Sequence, residues 1–113
     1  MRSQRERLLD ILEAIAEIEE YTALGREAYD RDKLVRGWMI LHMERIGEAA
    51  SHLPQNFREL CSDIPWQDII SMRNVLVHEY FGIDPEFVWV TAVEDLPLLK
   101  ACVNRILETL DET

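Results

Sequence analysis

The stretch from Met72 to Gly82 reads MRNVLVHEYFG and follows Pro65, which opens a segment with helical periodicity. Proline suits the first turn of a helix because the N–H that it lacks would have no partner there. Apolar residues recur at three- and four-residue steps, which predicts an amphipathic helix from about residue 66 to 79 that stops near Gly82. On an ideal helix, Arg73 falls in the middle of the apolar arc, which consists of Ile69, Ile70, Met72, Leu76 and Val77.

The arginine in this arc needs a partner or water, because a guanidinium keeps its charge and is costly to bury unpaired. One interpretation is an ion pair with Glu44 or Glu48 of the preceding long helix. The other is a wet cleft that looks apolar only in the sequence. His78 lies at the edge of the arc, and Tyr80 returns to the face of Arg73 if the helix persists that far. The pattern therefore gathers an arginine, a histidine and a tyrosine near one helix end.

Such a set can cleave RNA without a metal. A histidine titrates near neutral pH and can act as general base or acid at the 2′-hydroxyl. An arginine donates forked hydrogen bonds to a phosphate as negative charge develops, and Asn74 could orient either group. Helical geometry alone favours structural roles: a buried ion pair for Arg73, a favourable helix C-terminal charge for His78 and a core position for Tyr80.

The rest of the chain is also helical, and no strand-like alternation or repeat occurs in it. The wide apolar arc of the second long helix indicates a central helix, or one between the bundle and a partner subunit, and Gly37 and Gly47 allow close helix approach. Pro97 predicts a kink or break near Asp95. We expect one all-α domain over residues 1–113, an up-and-down bundle of four to five helices. The further helices are predicted at about Ser3–Tyr21, with Gly25 as C-cap, Asp32–Leu53, the short turn Gln55–Cys61, and Asp84–Leu110.

In the second long helix, Met39, Met43 and Ala50 are predicted to widen an apolar arc that six other residues form. Trp38, Trp66 and Trp89 are interpreted as core or dimer packing rather than as surfaces for base stacking. His42 and Arg45 fall in the same arc, where they are either satisfied core groups or part of the cleft of Arg73. The predicted arc comprises Leu34, Trp38, Leu41, Ile46, Ala49 and Leu53.

Composition excludes several classes of function. A formal net charge of −10 argues against a binder that grips nucleic acid mainly through phosphates, although Arg26, Arg31, Lys33, Arg36 and Arg45 cluster before residue 50. No apolar run approaches the length of a membrane span. Two distant cysteines without Cys-x-x-Cys spacing predict two reduced core thiols in a cytosolic protein. His52 with Cys61 is too small a set for a metal site.

The segment Arg73-Asn74-x-x-x-His78-x-Tyr80 resembles the R-x4-H-x-Y signature of HEPN-domain proteins, and its surroundings resemble the HepT-like toxins of that superfamily. Two further segments match the same family in order along the chain. Residues 46–50, IGEAA, resemble its second-helix motif, and Trp89 followed by Asp95-Leu96-Pro97 resembles its last helix. The resemblance covers nearly the full chain, which is more specific than the short motif alone.

The resemblance implies a metal-independent endoribonuclease without a cofactor, working as a homodimer whose subunits together line one cleft. Arg73 and His78 would be catalytic and Asn74 supporting. HepT-like toxins belong to type II toxin–antitoxin systems, in which a minimal nucleotidyltransferase antitoxin of the MntA type transfers AMP to the motif tyrosine, here Tyr80. A bulky anion at that site would exclude substrate phosphate. RNA, with tRNA as first candidate, is the expected substrate in the cytoplasm, with no DNA or membrane partner.

Two alternatives remain from the sequence. The chain could be a non-catalytic subunit that binds nucleotide or substrate for a minimal nucleotidyltransferase, a role that suits its acidic charge better. It could also be a structural helical bundle that uses Trp38 and the methionines to bind another protein.

Overall fold

A computed structural model describes residues 2–78 and 84–111, and between residues 74 and 78 it describes the backbone only. The described residues contain α-helices joined by short connections, and no strand. The all-α prediction is therefore confirmed. The helices are α1 (Gln4–Thr22), α2 (Arg26–Arg31), α3 (Lys33–Ser51), α4 (Gln55–Glu59), α5 (Trp66–His78), α6 (Pro85–Val90) and α7 (Leu96–Asp111), with a π-helical turn (Thr91–Asp95) between α6 and α7.

Helix α3 is the centre of the fold, because it packs against α1 on one side and α5 on the other. Helix α7 packs mainly against α1 and the π-helical turn. The core between these elements is apolar and fully buried, and it supplies the hydrophobic free energy that holds the helices together. Its largest side chains include Leu8, Ile11, Ile15, Met39, Met43, Ile46, Leu99 and Ile106.

The helix starts follow local capping rules. Ser3 and Glu6 form a reciprocal capping box at the start of α1, and the Asp32 side chain accepts a hydrogen bond from the Leu34 amide at the start of α3. Asp84 caps α6, with Pro85 in its first turn, as the sequence predicts. These side chains satisfy amide groups that a helix N-terminus otherwise leaves unpaired.

The backbone differs from the predictions around Gly25 and α2, and it agrees with the prediction near Asp95. Gly25 was expected to cap the end of α1, but Ala23 does so, and Gly25 instead precedes α2 with a φ of 94°. The six-residue helix α2 was not predicted from the sequence. The break expected near Asp95 is confirmed as the π-helical turn Thr91–Asp95. Pro97 explains it, because proline cannot donate the hydrogen bond that a regular helix needs there.

The two cysteines lie in the core as predicted, but the prediction that they are reduced is wrong. Cys61, in the connection between α4 and α5, forms a disulfide with Cys102 of α7, and both residues are buried. Forty-one positions separate them in sequence, so no local spacing announces the pair. Only the packing of α7 against the rest of the bundle brings the two Cα atoms to 6.0 Å.

The apolar arc of α3 is only partly as predicted. Ile46, Ala49 and Leu53 are buried, but Leu34 is 76% exposed, Leu41 47% and Trp38 39%. Met39, Met43 and Ala50, which were predicted to widen the arc, are buried, and Val35 is buried with them at the N-terminal end of the helix. We call Leu34, Gly37, Trp38 and Leu41 the outer face of α3. Among the described residues, no helix combines the length and apolarity needed to cross a membrane.

Candidate active site

Helices α3 and α5 approach each other closely at Arg73. A Cβ atom on Gly47 would lie 3.0 Å from the Ile69 carbonyl oxygen and 3.1 Å from the Arg73 amide nitrogen. Such contacts are tighter than most contacts of real Cβ atoms, so a larger residue at this position of α3 would make the backbone of α5 shift by a few tenths of an ångström. The close approach predicted for Gly47 is confirmed. A Cβ on Gly37 would meet nothing within 4 Å. The expectation that Gly37 allows a close helix approach is therefore wrong within this chain.

Arg73 forms an ion pair with Glu48 across this contact. Its Nε lies 2.8 Å from Glu48 Oε2, and the two side chains are 44% and 46% exposed. The other carboxylate oxygen, Glu48 Oε1, lies 3.0 Å from Nε2 of His52. The two interpretations of Arg73 from the sequence therefore both hold: the guanidinium has a carboxylate partner and also faces an open cleft. The expectation that Glu48 is the counter-ion of an arginine is confirmed.

The cleft at Arg73 has a volume of about 610 Å³ and is lined by α1, α3 and α5. Its charge differs from that of the whole chain, because arginines outnumber carboxylates along its walls. A local excess of positive charge inside a concave surface attracts anions more strongly than the net charge suggests. The arginines are Arg2, Arg7, Arg45 and Arg73, and the carboxylates are Asp10, Glu44 and Glu48.

His42 does not line this cleft, but it contacts one of the arginines that do. His42 is only 4% exposed, and its Nδ1 lies 3.1 Å from Nη1 of Arg45. Burial, with a further contribution from Arg45, lowers the pKa of His42 from its ordinary value, and the carboxylates of Glu13 and Glu17 oppose this only in part. Of the two residues that could line the cleft, Arg45 does so and His42 instead contacts Arg45.

The remaining motif residues are placed only by the backbone or not at all. Helix α5 carries Arg73 and continues through Asn74 to His78, the last described residue of this segment, but the side chains of Asn74 and His78 lie outside the described part. Tyr80 lies outside the described residues altogether. The meeting of Arg73 with His78 and Tyr80 therefore stays a prediction.

The tryptophans have packing roles, with one exception. The Trp66 indole donates hydrogen bonds to the carbonyl oxygens of Arg58 and Cys61, and Trp89 stacks at a tilt against Tyr29. Trp38 is partly exposed on the outer face of α3. Among the described residues, no group of three or more histidine, cysteine or acidic side chains is placed to hold a metal ion.

Two further arginines of the cleft, Arg2 and Arg7, were not identified from the sequence. Arg2 precedes the N-cap of α1 and Arg7 lies in its first turn. Both are far from the motif in sequence, and in the sequence they look like ordinary solvated charges. Only the packing of α1 against α3 turns this face of α1 toward Arg73.

Fold and motif together define the class of this protein: an all-α domain of the HEPN superfamily, with the motif arginine at the edge of a cleft. The chain belongs to the HepT-like family, whose family model, described as "Ribonuclease HepT-like", matches residues 11–106. Most of the helical bundle, from α1 to α7, lies within the matched range.

Three relatives illustrate the family. A protein of Thermococcus cleftensis named "Probable ribonuclease HepT" is 42% identical over 106 residues, which cover 93% of this chain and 96% of that protein. "Putative RNase MJ1380" of Methanocaldococcus jannaschii is 35% identical, covering 88% and 92% of the two chains. "Putative RNase TTE0752" of Caldanaerobacter subterraneus is 36% identical, covering 80% and 81%. No solved structure matches the chain.

Proposed function

We propose that the chain is a metal-independent endoribonuclease, with Arg73 and His78 as catalytic residues and Asn74 as a supporting one. Membership of a family of ribonucleases supports the reaction class. The observation that carries the site is Arg73, a guanidinium anchored by Glu48 at 2.8 Å and still 44% exposed at the wall of an open cleft. An anchored and accessible cation on the motif helix is suited to hold a substrate phosphate.

The reaction follows from the two side chains. His78 removes the proton of a ribose 2′-hydroxyl, and the resulting oxygen attacks the adjacent phosphorus. The bond to the 5′-oxygen breaks, which leaves a 2′,3′-cyclic phosphate and, once that oxygen gains a proton, a 5′-hydroxyl. Arg73 stabilises the negative charge that develops on the phosphate oxygens.

The ion pair of Arg73 with Glu48 has a positioning role in this reaction. Because both side chains are almost half exposed, the pair contributes little to stability. A carboxylate bound at Nε limits the rotation of the guanidinium and directs it along the cleft. The conformational entropy of the Arg73 side chain is then already lost before the substrate binds, so binding does not have to order it.

We further propose that the active form is a homodimer in which a second copy covers the outer face of α3. Three large apolar side chains of this face are exposed, and Leu41 belongs both to this face and to the lining of the cleft. A partner that buries the face would thus lie beside Arg73. Motif residues from two subunits could then contribute to one substrate-binding cleft.

Regulation by adenylylation of Tyr80 completes the proposal. In a toxin–antitoxin pair, the partner nucleotidyltransferase of the MntA type would direct the Tyr80 hydroxyl oxygen to the α-phosphorus of ATP, releasing pyrophosphate. The new phosphodiester would add negative charge and bulk two positions after His78 in sequence. A bound anion close to Arg73 would exclude the substrate phosphate. Both the cellular RNA and the enzyme belong to the cytoplasm in this account.

The test of catalysis is cleavage of tRNA by the purified chain in the presence of EDTA. We expect cleavage by the unmodified protein and a loss of at least about 100-fold in Arg73→Ala and in His78→Ala, the scale typical of lost acid–base or electrostatic catalysis. Arg31→Ala is the charge-matched control, since Arg31 is exposed and pairs only weakly with Glu27 among the described residues. Full activity in both motif variants would exclude this mechanism.

The test of regulation uses the partner nucleotidyltransferase with labelled ATP. We expect one or more AMP groups on the unmodified chain, loss of cleavage on labelling, and no labelling of Tyr80→Phe. Nucleotide binding without any RNA cleavage would instead support the alternative that the acidic charge suits better, a non-catalytic subunit of the nucleotidyltransferase.

A further inference from the structure

A chain with a formal net charge of −10 needs a local basic surface to hold RNA, because phosphate contacts dominate such binding. The cleft at Arg73 supplies arginines, but they differ in how far their charge is already neutralised. Arg2 forms two hydrogen bonds with the Asp10 carboxylate, each of 2.7 Å, and Arg73 pairs with Glu48 at 2.8 Å. These two cations already share their charge with a close anion.

Arg7 and Arg45 are different. Arg7, half-buried at the cleft wall, makes no ion pair or side-chain hydrogen bond with any described residue. The ion pair of Arg45 with Glu13 is long, at 3.7 Å. Its closer contact is with the imidazole of His42 at 3.1 Å. Within the described part of the chain, neither of these two cations therefore has a carboxylate at hydrogen-bond distance.

We propose that Arg7 and Arg45 bind the phosphates of single-stranded RNA next to the phosphate that is cleaved at Arg73. This inference rests on the proposed ribonuclease function and adds the path of the strand. The RNA would run from α5 across α3 at Arg45 toward the N-terminal half of α1 at Arg7. The phosphodiester backbone is the ligand, so the site carries no base specificity of its own.

His42 is the positioning residue of this path. An arginine always donates, so the contact of Arg45 Nη1 requires that His42 Nδ1 accept and that the imidazole proton lie on Nε2. The lowered pKa of His42 keeps the ring neutral and able to accept. A neutral acceptor fixes the guanidinium without cancelling its charge, whereas a carboxylate would do both. Arg45 is thus held in place and left free to attract phosphate.

The experiment measures the affinity of a fluorescein-labelled single-stranded oligoribonucleotide as a function of salt, in a His78→Ala background that prevents cleavage. Each lost phosphate contact should lower the slope of log affinity against log salt by about 0.7. We expect Arg7→Ala and Arg45→Ala each to weaken binding about tenfold and to show this reduced slope. Arg31→Ala, on an exposed part of α2, should change neither quantity.

A second pair of variants tests His42. His42→Gln keeps a side-chain acceptor for Arg45, and His42→Phe removes it at similar size. We expect the affinity and the salt slope to fall in the phenylalanine variant and to recover in the glutamine variant. Equal behaviour of the two variants would overturn the positioning role.

The outcomes separate this inference from the proposed function. If Arg73→Ala abolishes cleavage but Arg7→Ala and Arg45→Ala bind RNA like Arg31→Ala, the strand path is wrong and the ribonuclease stands. If the unmodified chain neither binds nor cleaves RNA, the proposed function itself fails, and the path fails with it.

Discussion

His42 is nearly fully buried, yet its Nε2 has no hydrogen-bond partner among the described residues. An unpaired buried donor costs about 1–3 kcal/mol relative to a satisfied one. The Trp38 ring packs edge-on against the imidazole, with the two ring centroids 4.6 Å apart. A buried polar group that is costly to stability and contacts an arginine of the cleft is better explained by function than by folding.

The buried imidazole predicts how stability changes with pH. In the unfolded chain His42 titrates near 6.5, and in the folded chain burial first and Arg45 second lower its pKa. Between the lowered pKa and 6.5, the unfolded state holds more protons. The contribution of His42 to stability is therefore intact above pH 6.5 and decreases as the pH falls to the folded pKa, below which its loss is complete.

Urea unfolding at pH values above and below 6.5 measures this change. His42→Phe cannot titrate, so the stability difference between the two proteins should shift in favour of the variant as the pH falls. Parallel pH profiles for the two proteins would show that His42 does not lose a proton on folding.

At the scale of elements, the contact between α3 and α5 depends on Gly47. We expect Gly47→Ala to destabilise the fold by about 1–3 kcal/mol, because the new methyl group must push α5 away. The same shift moves Arg73, so RNA cleavage should fall as well. Gly37→Ala is the matched control on the same helix. There the methyl group meets open space within the chain, and alanine favours the helix by up to about 1 kcal/mol.

Urea unfolding and cleavage rates of the two glycine variants check this. Wild-type stability in Gly47→Ala would mean that the two helices do not approach as closely as the structure has them.

The starts of α1, α3 and α5 and the approximate ends of α1 and α3 could be predicted, because each depends on local signals, namely capping side chains, prolines and helical periodicity. The inward face of α3 could not be predicted at its N-terminal end. Leu34, Trp38 and Leu41 form as good a stripe as the buried set, and an isolated helical wheel cannot tell which stripe meets α1. The surroundings of Arg73 could not be predicted for a similar reason. They depend on how closely α5 approaches α3 at Gly47, which the pattern of α5 alone does not show.

The disulfide between Cys61 and Cys102 predicts a measurable dependence on reductant. Closing a loop over 41 positions stabilises the folded chain by about 4 kcal/mol in the chain-entropy account. We expect dithiothreitol to lower the Tm clearly. The double variant Cys61→Ala/Cys102→Ala should melt lower than the oxidised protein and be insensitive to reductant.

The thiol content of purified protein, unfolded without reductant, provides an independent measurement. Two titratable thiols per chain would contradict the disulfide and restore the reduced pair that the sequence suggests.

At the scale of the whole molecule, the charge of the chain and its apolar surface are both unevenly distributed. The apolar outer face occupies the N-terminal half of α3. The same side of the helix continues toward its C-terminal half with the charged residues Arg45 and Glu48, which line the cleft. A partner that buries the apolar half therefore approaches the charged half. This continuity links the proposed dimer to the proposed reaction.

The dimer is tested by placing a charge in the outer face of α3. In Leu34→Glu, burying a carboxylate against a second copy would be unfavourable, so we expect a monomer by sedimentation equilibrium. Leu34 is 76% exposed within one chain, so the fold should persist by circular dichroism while RNA cleavage is lost. Leu98→Glu places the same charge on α7, at a leucine that is 47% exposed, and should keep both the dimer and the activity. A Leu34→Glu variant that stays dimeric would locate the interface elsewhere. A monomer that cleaves RNA at the full rate would show that the cleft of one chain is sufficient, because a shared cleft cannot survive the separation of its two halves.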